Sequence, residues 1–162
     1  MVKYLTATNK GLITGVLMII LSLVFFYSKQ AADSPMQFAI YFVYALGVIW
    51  ALADFSKKAD TTAKFGEYFL QGFKCFIVVT LLMVLFTLAF NKLHPEFKDQ
   101  MAENYKKDLL KQGNKTPPEI EDTIKQAKDY YIVMLVSGAI FVYLVVGVIV
   151  TVITSFILRS RK

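Results

Sequence analysis

The sequence predicts an all-α fold, a polytopic membrane four-helix bundle with an extramembrane helical hairpin between the third and fourth spans. Three observations predict it. Hydrophobic residues make up 56% of the 162 and charged residues only 19%, below the roughly one quarter usual in soluble domains. The apolar residues fall in four long runs separated by polar stretches, the hydropathy pattern of a multi-pass membrane protein. The longest polar stretch has helical periodicity of its own, between capping signals. Residues 1–162 read as a single membrane domain, with spans at about 11–28, 36–53, 66–92 and 132–158 and the hairpin at 95–131.

The first run, Gly11 to Tyr27, follows Lys3 and Lys10, the flank of a signal peptide as well as of a span. It is longer than the usual ~7–15-residue signal core, and no small-x-small cleavage pattern follows, so it reads as a retained helix. The second run, Met36 to Ala53, starts at a capping box: Ser34 as cap, Pro35 at the first helical position and Gln37 reaching back. With Asp33 just before it, the first connection is short and the first two helices are antiparallel neighbours. The third run, Cys75 to Phe90, is slightly short for a ~30 Å hydrocarbon core. The preceding FGEYFLQGF extends it towards Thr62, and Lys74 and Lys92 can snorkel at its ends. The fourth, Ile132 to Leu158, is the longest and closes on Arg159, Arg161 and Lys162.

Orientation follows from where the cations lie. Lys3 and Lys10, then Lys57, Lys58 and Lys64, then the C-terminal cations share one side of a four-span chain, and that side is cytoplasmic by the positive-inside rule. The first loop has only Lys29, and the 92–131 loop balances eight lysines with eight acidic residues. Because the basic residues flank spans instead of forming one stripe, the net charge of +6 predicts topology and no nucleic-acid partner. The partners expected are the lipid bilayer and either another membrane protein or further copies of the chain.

Within the long loop Phe97, Met101, Tyr105 and Leu109 recur every fourth residue, as one helical face requires. Gly113 and Asn114 form a C-cap, and Thr116-Pro117-Pro118-Glu119 a second capping box. Ile120, Ile124, Ala127 and Tyr131 make the answering stripe. Nothing breaks the chain from there to Leu158, so the last helix is expected to run unbroken from Pro117, about 60 Å at 1.5 Å per residue. Pro95 is expected to kink the third helix.

The signatures of phosphate-binding loops, serine hydrolases, zinc proteases and Cys-x-x-Cys sites are all absent. The single cysteine, Cys75, sits in an apolar run and allows no intrachain disulfide. The predicted catalytic set, metal set and cofactor set are therefore empty, and the protein is expected not to be an enzyme. His94, the one histidine, is either an interfacial polar residue at the kink or a pH sensor. Asp54, Glu67, Gln71 and Lys74 form a candidate polar cluster at the cytoplasmic entrance. It would serve as an interfacial salt bridge fixing helix packing, or as a group that binds a phosphate headgroup or relays protons. Small residues at four-residue spacing mark close helix contacts: Gly11 and Gly15, Gly47 and Ala51, and Gly147, Thr151 and Ser155. They serve internal packing or a dimer interface. Phe97, Met101, Leu109, Ile120 and Ile124 are the candidate docking hairpin. Tyr27, Tyr41, Tyr130, Tyr131, Trp50 and Tyr68 form aromatic belts.

Three segments carry a family likeness: Asn9 to Gly15 (NKGLITG), Phe65 to Phe73 (FGEYFLQGF) and Gly147 to Ser155 (GVIVTVITS). Together they resemble an uncharacterised, domain-of-unknown-function family of small four-span inner-membrane proteins of Bacteroidota. The F-G-E-x-F-x-x-G-F pattern, with Gly66, Glu67, Gly72 and Phe73, is the most specific part. The resemblance implies a bacterial cytoplasmic membrane with both termini cytoplasmic and the hairpin periplasmic. It also implies a genomic association with glycosyltransferases that use lipid-linked sugars, which is not a mechanism. The expected function is a non-catalytic subunit or accessory protein of an inner-membrane complex; the alternative is an oligomeric carrier or flippase-like protein for a lipid-linked sugar.

Overall fold

A computed structural model describes residues 5–28, 34–59 and 63–160, all of them helix or short connection. Five helices follow one another: α1 (Ala7–Tyr27), α2 (Ser34–Lys58), α3 (Phe65–Leu93), α4 (Glu96–Gln112) and α5 (Pro117–Ser160). The described residues contain no strand. α1, Phe38–Lys58 of α2, α3 and α5 are long and apolar enough to cross a membrane. In lipid the backbone must satisfy its own hydrogen bonds, and a helix does so within one segment.

The chain divides into two compact units, Met1–Val84 with Ile140–Lys162, and Leu85–Ala139. In the first, the close contacts are made by small residues. A side chain on Gly11 would meet the carbonyl oxygen of Cys75, and one on Gly15 would meet Leu82, so α1 lies close against α3. Gly47 faces Thr14 of α1, Gly72 of α3 faces Thr151 of α5, and Gly147 of α5 faces Tyr44 and Phe76. Tyr44, Val48, Leu52, Phe76 and Val79 fill the space between. Meanwhile large apolar residues such as Leu17, Ile20, Phe42, Leu81, Ile149 and Phe156 point outwards and are exposed. Small residues at the helix contacts with large apolar ones turned outwards is the arrangement that lipid selects, because burying leucine against leucine gains little where the solvent is itself apolar.

In the second unit the chain does not kink at Pro95 but breaks. α3 ends at Leu93 and α4 begins at Glu96, with His94 and Pro95 outside either helix. Proline has no N–H to continue the ladder and pushes the preceding residue away from helical geometry. Gly113 ends α4 at φ 65°, a left-handed conformation that only glycine adopts without steric cost. At the start of α5 the Glu119 carboxylate accepts from the Thr116 N–H at 2.7 Å and from its hydroxyl at 2.8 Å. α5 then runs unbroken for 44 residues. Ala102, Leu109 and Ile120 are buried, and Phe97, Met101 and Ile124 are half-buried. Tyr105, expected on the apolar stripe, is 40% exposed, so the buried face of α4 turns through Ala102 instead. The Lys128 ammonium reaches the Asp99 carboxylate at 2.6 Å, and the Tyr131 hydroxyl reaches Asn91 at 3.0 Å.

α1 starts earlier than its apolar run, at Ala7, because Thr6 caps it through a 3.2 Å bond from the Asn9 N–H. α3 starts at Phe65, capped by Glu67, whose carboxylate accepts from the Lys64 backbone N–H at 2.9 Å. Thr62, the loop at 29–33 and the side chains of Ser34, Pro35 and Gln37 lie outside the described residues.

Candidate functional site

The polar residues expected at one entrance do come to one end of the first unit, but in a different arrangement. Asp54, in the last turns of α2, binds Lys10 of α1 and also Lys58 one turn on, the latter at 2.7 Å. Lys10 is only 3% exposed, and its ammonium also sits 5.3 Å from the centroid of the Trp50 ring. A lysine this enclosed needs a partner, since an unpaired buried charge is far costlier than a paired one. Asp54 supplies the charge and Trp50 the electron-rich ring face. The Lys10 backbone is drawn in as well: its carbonyl accepts the buried Thr14 hydroxyl at 2.8 Å.

Gln71 and Lys74 lie with Asp54, Lys10, Lys58 and Thr6 around a depression of about 530 Å³. Glu67 lines a neighbouring one of about 580 Å³, together with Lys64, and Gln71 and Lys58 are common to both. The Glu67 carboxylate accepts from the Lys64 backbone N–H as a helix cap. Lys10 is the residue that sequence reasoning missed as a site member. Its signal was its spacing: Lys10, Thr14 and Met18 recur every fourth residue, and all three are buried.

The small-residue candidates are all interior. Gly11, Gly15, Gly47, Ala51, Gly147, Thr151 and Ser155 are buried, and the glycine contacts above join helices of one chain. The Thr151 and Ser155 hydroxyls are buried without a hydrogen-bond partner. Tyr68 leaves the expected aromatic belt for the core. It is 1% exposed, edge-on to Phe55 at 5.1 Å. Tyr44 donates to the Tyr143 carbonyl at 2.8 Å, joining α2 to α5. Cys75 is buried, its thiol 3.7 Å from the Gly47 carbonyl.

In the second unit His94 packs against the rings of Phe90 and Phe97, which also touch each other, and lies 2.8 Å from the Glu96 carboxylate. The Glu96 carboxyl is held below its ordinary value, first by its own backbone N–H and then by His94. Asp99 is held low by the Lys128 ammonium. An apolar groove of about 750 Å³ opens beside these helices, lined by Met101, Tyr105, Thr123, Tyr130, Val133 and Met134 among others. Among the described residues no group of three or more His, Cys, Asp or Glu side chains is placed to hold a metal.

Four apolar helices, with small residues at their contacts and many large apolar ones exposed on the outside, define the class: an all-α, multi-pass membrane protein. Residues 9–160 match the family described as "Protein of unknown function (DUF4199)", and the chain belongs to that family. No curated protein and no solved structure matches it.

Proposed function

We propose that the protein is a non-catalytic subunit or accessory protein of an inner-membrane complex, and that it works by holding a second membrane protein. In this reading the four spans form a bundle with both termini cytoplasmic, in a bacterium of the Bacteroidota. α4 and the first turns of α5 form a periplasmic hairpin.

The observation that supports it is the apolar groove. Val133 and Met134 belong to the apolar part of α5, whereas Met101, Tyr105 and Thr123 lie among charged neighbours such as Glu103, Lys106, Asp122 and Lys125. Lipid covers the first set but not the second, and an apolar patch beside charged, water-facing residues calls for a protein partner. The occupant that fits is a helix leaving its own span, apolar against Tyr130 and Met134 and amphipathic against α4. A carrier places free polar groups near the bilayer centre; the Ser22 and Thr80 hydroxyls bond back to the Met18 and Phe76 carbonyls of their own helices at 2.8 Å, while the Thr151 and Ser155 hydroxyls are without a partner but enclosed.

A photo-crosslinking residue at Tyr105 or Met134 should capture one and the same membrane protein in native membranes, and one at Lys107 should not. Tyr105→Glu should abolish that capture while the four spans stay inserted. Phosphatase and fluorescent-protein fusions at Gly113 and at the C-terminus report the topology, and phosphatase activity at the C-terminus would reverse it. Transport of a lipid-linked sugar in liposomes by a variant lacking residues 95–131 would replace this reading with the carrier.

A further inference from the structure

The depression at the end of α1, α2 and α3 has an unbalanced charge, and we propose that it is a binding site for a phosphate-type anion. Among the described residues three lysines line it, Lys10, Lys58 and Lys74, against the carboxylate of Asp54. Asp54 is committed to Lys10 and Lys58. Lys74 makes no ion pair among the described residues, and its side chain is exposed at the rim beside Gln71.

The surroundings favour the same sign of ligand. Lys10 is fixed by Asp54 and the Trp50 ring, so its charge is already in place and costs little further ordering when an anion arrives. The N-terminus of α1, Thr6 to Thr8, lines the same depression, and the positive end of a helix favours a negative ligand. Gln71 adds an amide donor. The volume of about 530 Å³ accommodates a phosphate with the glycerol portion of a headgroup. The neighbouring depression differs: it adds only Lys64 and Glu67, one charge of each sign, to the Lys58 that both share. The proposal therefore assigns the anion to the first depression and not the second.

The phosphate could be that of an anionic phospholipid headgroup or a free phosphate, and one experiment distinguishes them. The full-length protein in a neutral detergent is titrated with short-chain phosphatidylglycerol, short-chain phosphatidylcholine or inorganic phosphate, and thermal unfolding is followed. Phosphatidylglycerol should raise the midpoint saturably, and phosphatidylcholine should do so far less. Lys74→Gln should weaken the apparent affinity about fivefold, the worth of one lysine near an anionic surface, while Lys64→Gln leaves it within about twofold. A response to phosphatidylglycerol alone identifies the headgroup; a matching response to inorganic phosphate shows that free phosphate suffices. Either supports the site. An identical response to both lipids with none to phosphate, or a response that Lys74→Gln leaves untouched or that Lys64→Gln weakens equally, overturns it. None of these outcomes depends on the partner groove.

Discussion

Gly47→Ala adds one methyl group at the closest approach of α1 and α2. In open space this exchange stabilises a helix by about 0.5–1 kcal/mol. Here the new Cβ would collide with the Thr14 side chain at Cβ, Oγ1 and Cγ2. Thr14 cannot simply swing aside. It is β-branched, which restricts its rotamers in a helix, its hydroxyl is bonded to the Lys10 carbonyl at 2.8 Å, and it is buried. The helices must separate instead, and overpacking of this kind costs about 1–3 kcal/mol. Separation also strains the 3.7 Å contact between the Cys75 thiol and the Gly47 carbonyl. Subtracting the helix gain leaves a net loss of about 1 kcal/mol at the centre of the two ranges. Thr14→Ala removes the colliding atoms, so the double variant should recover most of the loss, with a coupling energy of about 1–2 kcal/mol. Gly138, with nothing within 4 Å of its added Cβ, is the internal control, and Gly138→Ala should be neutral or stabilising. Reversible unfolding in mixed micelles of detergent and sodium dodecyl sulfate measures all four. A neutral Gly47→Ala, or a double variant whose loss is the plain sum of the singles, would refute the argument.

The other predictions concern charges and a turn. Asp54→Asn should destabilise by about 1.5–3 kcal/mol, because it strips the charged partner from an enclosed lysine. Lys58→Ala, at the exposed side of the same carboxylate, should cost under about 0.5 kcal/mol; equal losses in thermal unfolding would contradict the burial of Lys10. Gly113→Ala should cost about 1 kcal/mol and Gly113→Asn less, since φ 65° favours glycine and tolerates asparagine; amide exchange in the last turn of α4 reports it. The Asp99 carboxyl, held below its ordinary 3.8 by Lys128, contributes stability that is complete above that value and is lost as pH falls through the depressed one. Amide protection factors across residues 99–128, corrected for the intrinsic exchange rate at each pH, should therefore fall below about pH 4, and Asp99→Asn should remove that acid dependence.

What was legible in the sequence was what lipid dictates. Four apolar runs read as helices, and small residues repeated every fourth position as contacts; Gly11, Gly15, Gly47 and Gly147 each lie against a neighbouring helix. Local capping was legible too, at Gly113 and Thr116, since those signals act within one turn. Where the chain had two ways to satisfy one signal, the pattern alone did not decide. Pro95 breaks the path between α3 and α4 instead of bending it. Glu67 answers the backbone N–H of Lys64, just before its own helix. Tyr68 reads as interfacial by type but is enclosed by Phe55 and Ser56, a matter of helix rotation about its axis. Lys10 was hidden by its company, because any lysine before a span satisfies the positive-inside rule. Only its register with Thr14 and Met18 distinguished a side chain that turns inward.

The pairing of Lys10 with Asp54 carries a consequence for biogenesis. The two residues lie 44 positions apart. At about 5–20 residues per second, Lys10 emerges from the ribosome several seconds before its partner does. Throughout that interval its ammonium has no carboxylate and must stay at the aqueous surface, so α1 cannot settle to its final depth alone. The first stable intermediate is then the α1–α2 pair, locked when Asp54 arrives. An Asp54→Asn chain should linger with α1 shallowly inserted, open to proteases and to the cell's membrane quality control, long before any loss of equilibrium stability is measured.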